Sequence, residues 1–320
     1  MPLNADSLEP LVSEVAVVTV CVRDQAGVAR FFNGALGFGT IAIGTCAADS
    51  DGARMLRSRD PVTWTLVGPP GARSGLIRLV SVPTAGESIW EGYSTPADRG
   101  YYALNFLVPD VDAAWRRLQE QGAVPRSEPK AWHLWDDVTI RESMFFGPDG
   151  VLLDVAEVTG PGVARHNEPI VGVATSVCAL TSHVEDPHRA QAFYTALGYD
   201  LLFDQELRGL ESLLHVPTGT VLHDVNLRVP GRPLLGRLEL VSYVGCVGRS
   251  RAHRAVPPNL GIIAAAYRTR SLPDALAAVE SGGGRVLITF ECSPFPDIGA
   301  GPAAVCLGPD DEALQLVEVS

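Results

Sequence analysis

Between residues 15 and 38 the chain passes from an alternating apolar stretch to Asp24, then to apolar residues at helical spacing, and stops at Leu36-Gly37-Phe38. The first stretch predicts a strand and the second an amphipathic helix. Asp24 suits the helix start, because its carboxylate accepts from free backbone N–H groups and meets the positive end of the helix dipole. Gly37 suits the stop, where a left-handed residue is wanted. Residues 177–199 repeat the order. Asp186 precedes Phe193 and Tyr194 by the interval that separates Asp24 from Phe31 and Phe32, and the segment ends at Leu197-Gly198-Tyr199.

A shorter version of the pattern occupies residues 103–124 and 264–286, each a strand, a helix and a glycine. The closing strands match as well. The segment from Gly75 to Ser81, with Arg78 at its centre, parallels that from Gly236 to Ser242, with Glu239 at its centre. The Gly147-Pro148-Asp149 turn and the strand through Asp154 parallel Gly308-Pro309-Asp310 and the strand through Gln315. Four strand–helix–three-strand (βαβββ) modules follow, and the fold class is α+β. The expected layout is an N-terminal segment (1–14), a first domain at 15–158 with modules 15–83 and 101–158, and a linker at 159–170. A second domain follows at 171–320, with modules 171–244 and 259–320. No G-x-G-x-x-G sits between a strand and a helix, which disfavours a doubly wound nucleotide fold.

At 320 residues the chain has room for two such domains. A net charge of -12 repels polyanions, so nucleic acid is not an expected partner. The N-terminal stretch has neither a basic region nor an apolar core, and no apolar run is long enough to cross a bilayer. The expectation is a soluble, cytoplasmic protein without a membrane partner. The six cysteines are scattered without C-x-x-C spacing and read as buried thiols rather than zinc ligands.

This ordered set of motifs, covering about residues 15–319, resembles the vicinal oxygen chelate superfamily of glyoxalases, bleomycin-resistance proteins and extradiol dioxygenases. The resemblance implies paired modules that form half-open mixed β-barrels, each a cup able to hold a divalent metal. It places the ligands, usually His or Glu, on the first and last strands of a module. Counting back from the helix starts, the first-strand positions are Val17, Ala103, Ala179 and Ala264. The last-strand positions are Arg78, Asp154, Glu239 and Gln315. Arg cannot ligate a cation, and the His/His/Glu set of extradiol dioxygenases is absent, so no metal is expected at the usual positions. His183 and Glu239 are the weak candidates for a divalent metal, and no other cofactor is implied.

With sequential modules paired, strand alternation sends Thr19, Cys21, Arg78, Asn105 and Asp154 into one cup. Thr181, His183, Glu239, Arg268 and Gln315 enter the other. Polar cups imply internal pairing or a ligand. Two readings of Arg78 stand together, an ion pair with Asp154 and a site for an anion or carbonyl. His183 reads as a metal ligand or as a titrating imidazole in a pocket. His215 and His223 flank a turn, either exposed or facing one another across a hairpin. Trp132, His133 and Trp135 lie in the densest aromatic and charged run, suited either to an aromatic small molecule or to packing against the other domain.

Three functions fit this pattern. The first is an enzyme, a lyase, isomerase or epimerase that moves a proton beside a carbonyl, with Glu239 or His183 as base and Arg268 as electrostatic partner. Arg78, Asn105, Asp154, Thr181, Gln315, Trp132, His133 and Trp135 would then bind the substrate. The second is sequestration of a flat or aromatic molecule without chemistry. The third is a dioxygenase-like enzyme with a displaced metal held by His183, His215, His223 and Glu239. Two domains can pair within one chain, so monomer and homodimer are both compatible with the sequence.

Overall fold

A computed structural model describes residues 9–91, 97–135, 137–161, 170, 172–231 and 235–319, together with all their side chains except that of Trp135. Most of the expected linker at 159–170 and of the N-terminal segment at 1–14 therefore lies outside the described residues.

The first module is β1 (Val17–Cys21), α1 (Gln25–Leu36), β2 (Gly39–Cys46), the short α2 (Asp51–Met55), β3 (Val62–Gly68) and β4 (Leu76–Ser81). The second is β5 (Gly100–Leu107), α3 (Val111–Glu120), β6 (Val124–Pro125), β7 (Lys130–Trp135), β8 (Val138–Phe146) and β9 (Leu152–Thr159). The third is β10 (Ala179–His183), α4 (Pro187–Ala196), β11 (Asp200–Leu207), α5 (Glu211–Leu214), β12 (Leu222–Arg228) and β13 (Arg237–Tyr243). The fourth is β14 (Gly261–Thr269), α6 (Leu272–Ser281), β15 (Arg285–Phe290), β16 (Ala303–Leu307) and β17 (Ala313–Glu318). No helix among the described residues is long and apolar enough to cross a membrane.

The local signals act as the sequence implies. Asp24 accepts from the Gly27 amide at 3.0 Å, and Asp110 and Ser271 cap α3 and α6 in the same way. Asp186 accepts from the amides of His188 and Arg189. Gly37 ends α1 in the left-handed region, at φ 73°.

The strands form two mixed sheets, neither closed into a barrel. One has eight strands in the order β15-β16-β17-β14-β1-β4-β3-β2. The other has nine, in the order β11-β12-β13-β10-β5-β9-β8-β6 with β7 paired to β8 beside that path. The pairing of modules differs from the sequential one expected. Module 1 joins module 4 through antiparallel β1 and β14, and module 2 joins module 3 through antiparallel β5 and β10. The reason is geometric. The first strand of every module offers the same free edge, and any two of the four can pair antiparallel, so chain order does not choose between them.

One face of each sheet packs against helices in a shared apolar core that includes Val18, Leu79, Phe106, Leu153, Leu180, Leu240 and Tyr267. The opposite faces form the two cups, and their contents differ.

Candidate functional site

The cup of the eight-stranded sheet is filled. Trp64, Met55, Phe295, Ile263 and Ala266 pack within it. Thr19 stands level with Arg78 across β1 and β4, and Ala266 stands level with Gln315 across β14 and β17. The fully buried Arg78 donates to Asp297 at 2.5 Å and to the Gln315 carboxamide oxygen at 3.4 Å, and its guanidinium lies 4.0 Å over the Phe295 ring. Gln315 in turn donates to the Met55 carbonyl at 3.0 Å. Arg78 therefore does not pair with Asp154, which belongs to the other sheet, but is buried against Asp297, Gln315 and Phe295. Arg268 and Gln315 also belong to this sheet and do not join Glu239 and His183. Arg268 is held by the carbonyls of Ile298, Asp297 and Arg73.

The nine-stranded sheet brings the remaining residues together. Asn105 stands level with Asp154 across β5 and β9, and Thr181 stands level with Glu239 across β10 and β13. The first-strand residues across from the last-strand acids thus lie two positions beyond those counted from the helix starts. The Asn105 amide donates to Glu239 at 3.0 Å and to the Thr181 hydroxyl at 2.8 Å, while Thr181 donates to Glu239 through a very short bond. These bonds occupy one oxygen of Glu239 and fix its plane.

Two acids join from strands not singled out in the sequence, Glu142 on β8 and Asp224 on β12. Alternation would have located both. Val138, Ile140, Glu142 and Met144 share one face of β8, and Leu222, Asp224 and Asn226 share one face of β12. Neither strand, however, occupies a place where the resemblance implies a ligand.

Glu142, Asp154, Asp224 and Glu239 line a cavity of about 90 Å³ with Asn105, Trp132 and Phe203. A second space of about 50 Å³ continues past the same acids to His183 and Tyr243. Arg237 stands at the rim and donates to Asn226 at 2.7 Å. The side chains of Glu142 and Asp154 are hydrogen-bonded to each other, and the Trp132 indole donates to Glu142 at 2.8 Å. Burial pushes Glu142 up to about 7, with Glu239 nearby adding to the rise. Burial also raises Asp154 and Asp224 well above the ordinary carboxylate range, Asp154 further through the negative charges of Glu142 and Glu239. Burial and the neighbouring negative charges thus favour the protonated form of the Glu142–Asp154 pair.

His183 lies deeper, stacked on Tyr102 at 3.8 Å between ring centroids, with Tyr243 at its edge and its Nδ1 3.3 Å from the Asp98 carbonyl. His133 faces outward on β7 and meets Thr139 at 3.1 Å. Trp135 closes β7 in the backbone, and its side chain lies outside what is described. The set His183, His215, His223 and Glu239 does not assemble. His215 ends α5 beside Trp90 and Arg126, and His223 points to Asp204.

The divalent metal implied by the resemblance does not fit the residues in either cup. In the filled cup its place holds Arg78. In the acidic cup Asn105 and Thr181 hold one oxygen of Glu239 and Asp154 Oδ1 is buried without a hydrogen-bond partner, but among the described residues no three of these acids bring their donor atoms together around one point. Among the described residues, the trio of His, Cys, Asp or Glu side chains whose donor atoms converge is His188, Asp204 and His223, outside both cups.

Residues 14–155 match the model of the Glyoxalase/Bleomycin resistance protein/Dioxygenase superfamily. Glyoxalase I from Zea mays matches in fold with a TM-score of 0.64 at 17% identity, over 96% of this chain and 92% of that one. A mutant of the same Zea mays enzyme, in space group P6(3), gives a TM-score of 0.67 at 17% identity, over 96% and 92%. A putative dioxygenase from Bacillus subtilis gives 0.61 at 13% identity, over 97% and 86%. No curated protein matches the chain by sequence. The fold and the matched segment define a glyoxalase-like protein of tandem βαβββ modules. Residues 14–155 are similar to that superfamily, and the likeness in fold carries the same architecture through the rest of the chain.

Proposed function

We propose that the acidic cup of the nine-stranded sheet is the active site of a metal-independent lyase, isomerase or epimerase that moves a proton beside a carbonyl of a small molecule. The Glu142–Asp154 pair facing Glu239 across one cavity carries this reading. Glu239, oriented by Asn105 and Thr181, takes the proton from the carbon next to the carbonyl. The proton held by the Glu142–Asp154 pair is donated as a hydrogen bond to the carbonyl oxygen, where negative charge develops. Return of the proton to carbon gives isomerisation or epimerisation, and departure of a neighbouring leaving group gives a lyase. A base and a hydrogen-bond donor facing each other in one pocket are what such a transfer needs.

The volume suits a small metabolite, and Trp132, Phe203 and Tyr243 supply flat apolar walls for it. Those walls also favour a second reading, sequestration of the ligand without chemistry. Hydrogen–deuterium exchange at carbon, followed by NMR for a panel of small 2-oxo acids and ketones in D2O, separates the two. Exchange above the buffer rate that is lost in Glu239→Gln supports the enzyme. Ligands that raise Tm while showing neither exchange nor turnover overturn it in favour of sequestration.

A further inference from the structure

His188 in the first turn of α4, Asp204 on β11 and His223 on β12 meet on the helix-bearing face of the nine-stranded sheet, at its β11 edge and away from the acidic cup. Alternation explains the facing. Asp224 and Asn226 turn into the cup, so His223 turns to the helix side with Val225, and Phe203 and Leu207 turn into the cup while Asp204 turns to the helix side. One Asp204 oxygen lies 2.7 Å from His223 Nε2, and the other lies 2.9 Å from His188 Nε2. The three donor atoms fall within 4.8 Å of one another.

We propose that this trio is a binding site for a divalent transition-metal ion of the zinc class. Two imidazole nitrogens with one carboxylate oxygen make a set that suits Zn2+, Co2+ or Ni2+ and does not suit Mg2+ or Ca2+. Tetrahedral bonds of about 2.0–2.1 Å place donor atoms roughly 3.4 Å apart, so with Asp204 Oδ1 as the ligand its 2.7 Å spacing to His223 widens by about half an ångström while His188, within 4.8 Å of both, turns onto the ion. His188 can supply that movement, because its side chain is 63% exposed, whereas His223, 18% exposed, is the fixed side. The ligands come from three separate elements. A bound ion therefore fastens the edge strand β11 and its neighbour β12 to α4. Asp204 and His223 adjoin Phe203 and Asp224, which line the cup, so the ion pins one wall of the cavity from behind.

The test uses full-length, tag-free, metal-stripped protein, titrated with Zn2+ by calorimetry and with Co2+ by visible absorption. One equivalent of Zn2+ is expected per chain, with a rise in Tm and a cobalt spectrum of tetrahedral intensity. His188→Ala, Asp204→Asn and His223→Gln should each weaken Zn2+ by at least about tenfold. Glu142→Gln and Glu239→Gln should leave the affinity unchanged, as should millimolar Mg2+. His188→Ala sits on an exposed helix turn and keeps the test valid if a strand variant fails to fold. Stoichiometric zinc that survives His188→Ala and His223→Gln, zinc that is lost in Glu239→Gln, or no binding by the wild-type chain would each overturn the proposal. A hydrogen-bonded cluster alone would then remain.

Discussion

The guanidinium of Arg78 lies 2.5 Å from the carboxylate of Asp297, joining module 1 to module 4 inside the apolar-packed cup of the eight-stranded sheet. Both side chains are buried, at 0% and 7% exposure. Removing one partner strands a charge, at a cost of roughly 3–5 kcal/mol. Asp297→Asn should lower stability by about that amount in urea unfolding. The double variant Arg78→Met/Asp297→Leu, which removes both charges, should be less damaging than the sum of the two single variants. A strictly additive double variant would show that the pair is not coupled.

Glu142 makes stability depend on pH with a defined sign. Its carboxyl is raised from an ordinary 4.5 to about 7, so between those values the folded chain holds a proton that the unfolded chain has lost. That contribution is fully present below about pH 4.5 and is lost as pH rises through about 7. Glu142→Gln should flatten the stability profile over this window, removing up to about 1.4 kcal/mol per pH unit. Urea midpoints measured at intervals from pH 4.5 to 8 check it. Glu312, also raised by burial to about 7, titrates in the same window, so Glu312→Gln is the control for that second carboxyl.

The Trp132 indole stabilises the charged form of Glu142 by donating to it. Trp132→Phe keeps the flat wall and removes the donor, and should move the Glu142 inflection to higher pH. A carboxyl resonance of Glu142 followed by NMR reads this directly, and an inflection that stays or falls would refute it.

Neither half of the chain should fold as a unit. Residues 15–158 carry β1 without β14 and β5 without β10, leaving two first strands with open edges. Expressed alone, this half should aggregate or pair with another copy. Co-expression with residues 171–320 should restore the soluble fold. A monomeric 15–158 fragment with full secondary structure by circular dichroism and sharp amide signals would contradict the observed pairing.

The modules are legible in the order of amino acids alone. Asp24, Asp110, Asp186 and Ser271 start their helices, and Gly37 ends one, because caps act on amides a few residues away and leave their mark in the local pattern. The same order marks Asn105, Asp154, Thr181 and Glu239 as polar groups on inward-facing positions, since alternation along a strand is equally local. Long-range packing selects which modules share a sheet, and with that which residues share a cup. Arg78 expects a partner from its own half and finds Asp297 far along the chain, while Asp154 meets Glu142 and faces Glu239. Such choices rest on matches between edges that look alike in sequence, so the energy that selects them arises only when the strands are side by side. Charge behaviour follows from the same cause: Glu142 becomes a proton-holding group because packing of β8, β9, β12 and β13 gathers acids away from water, and no residue alone carries that property.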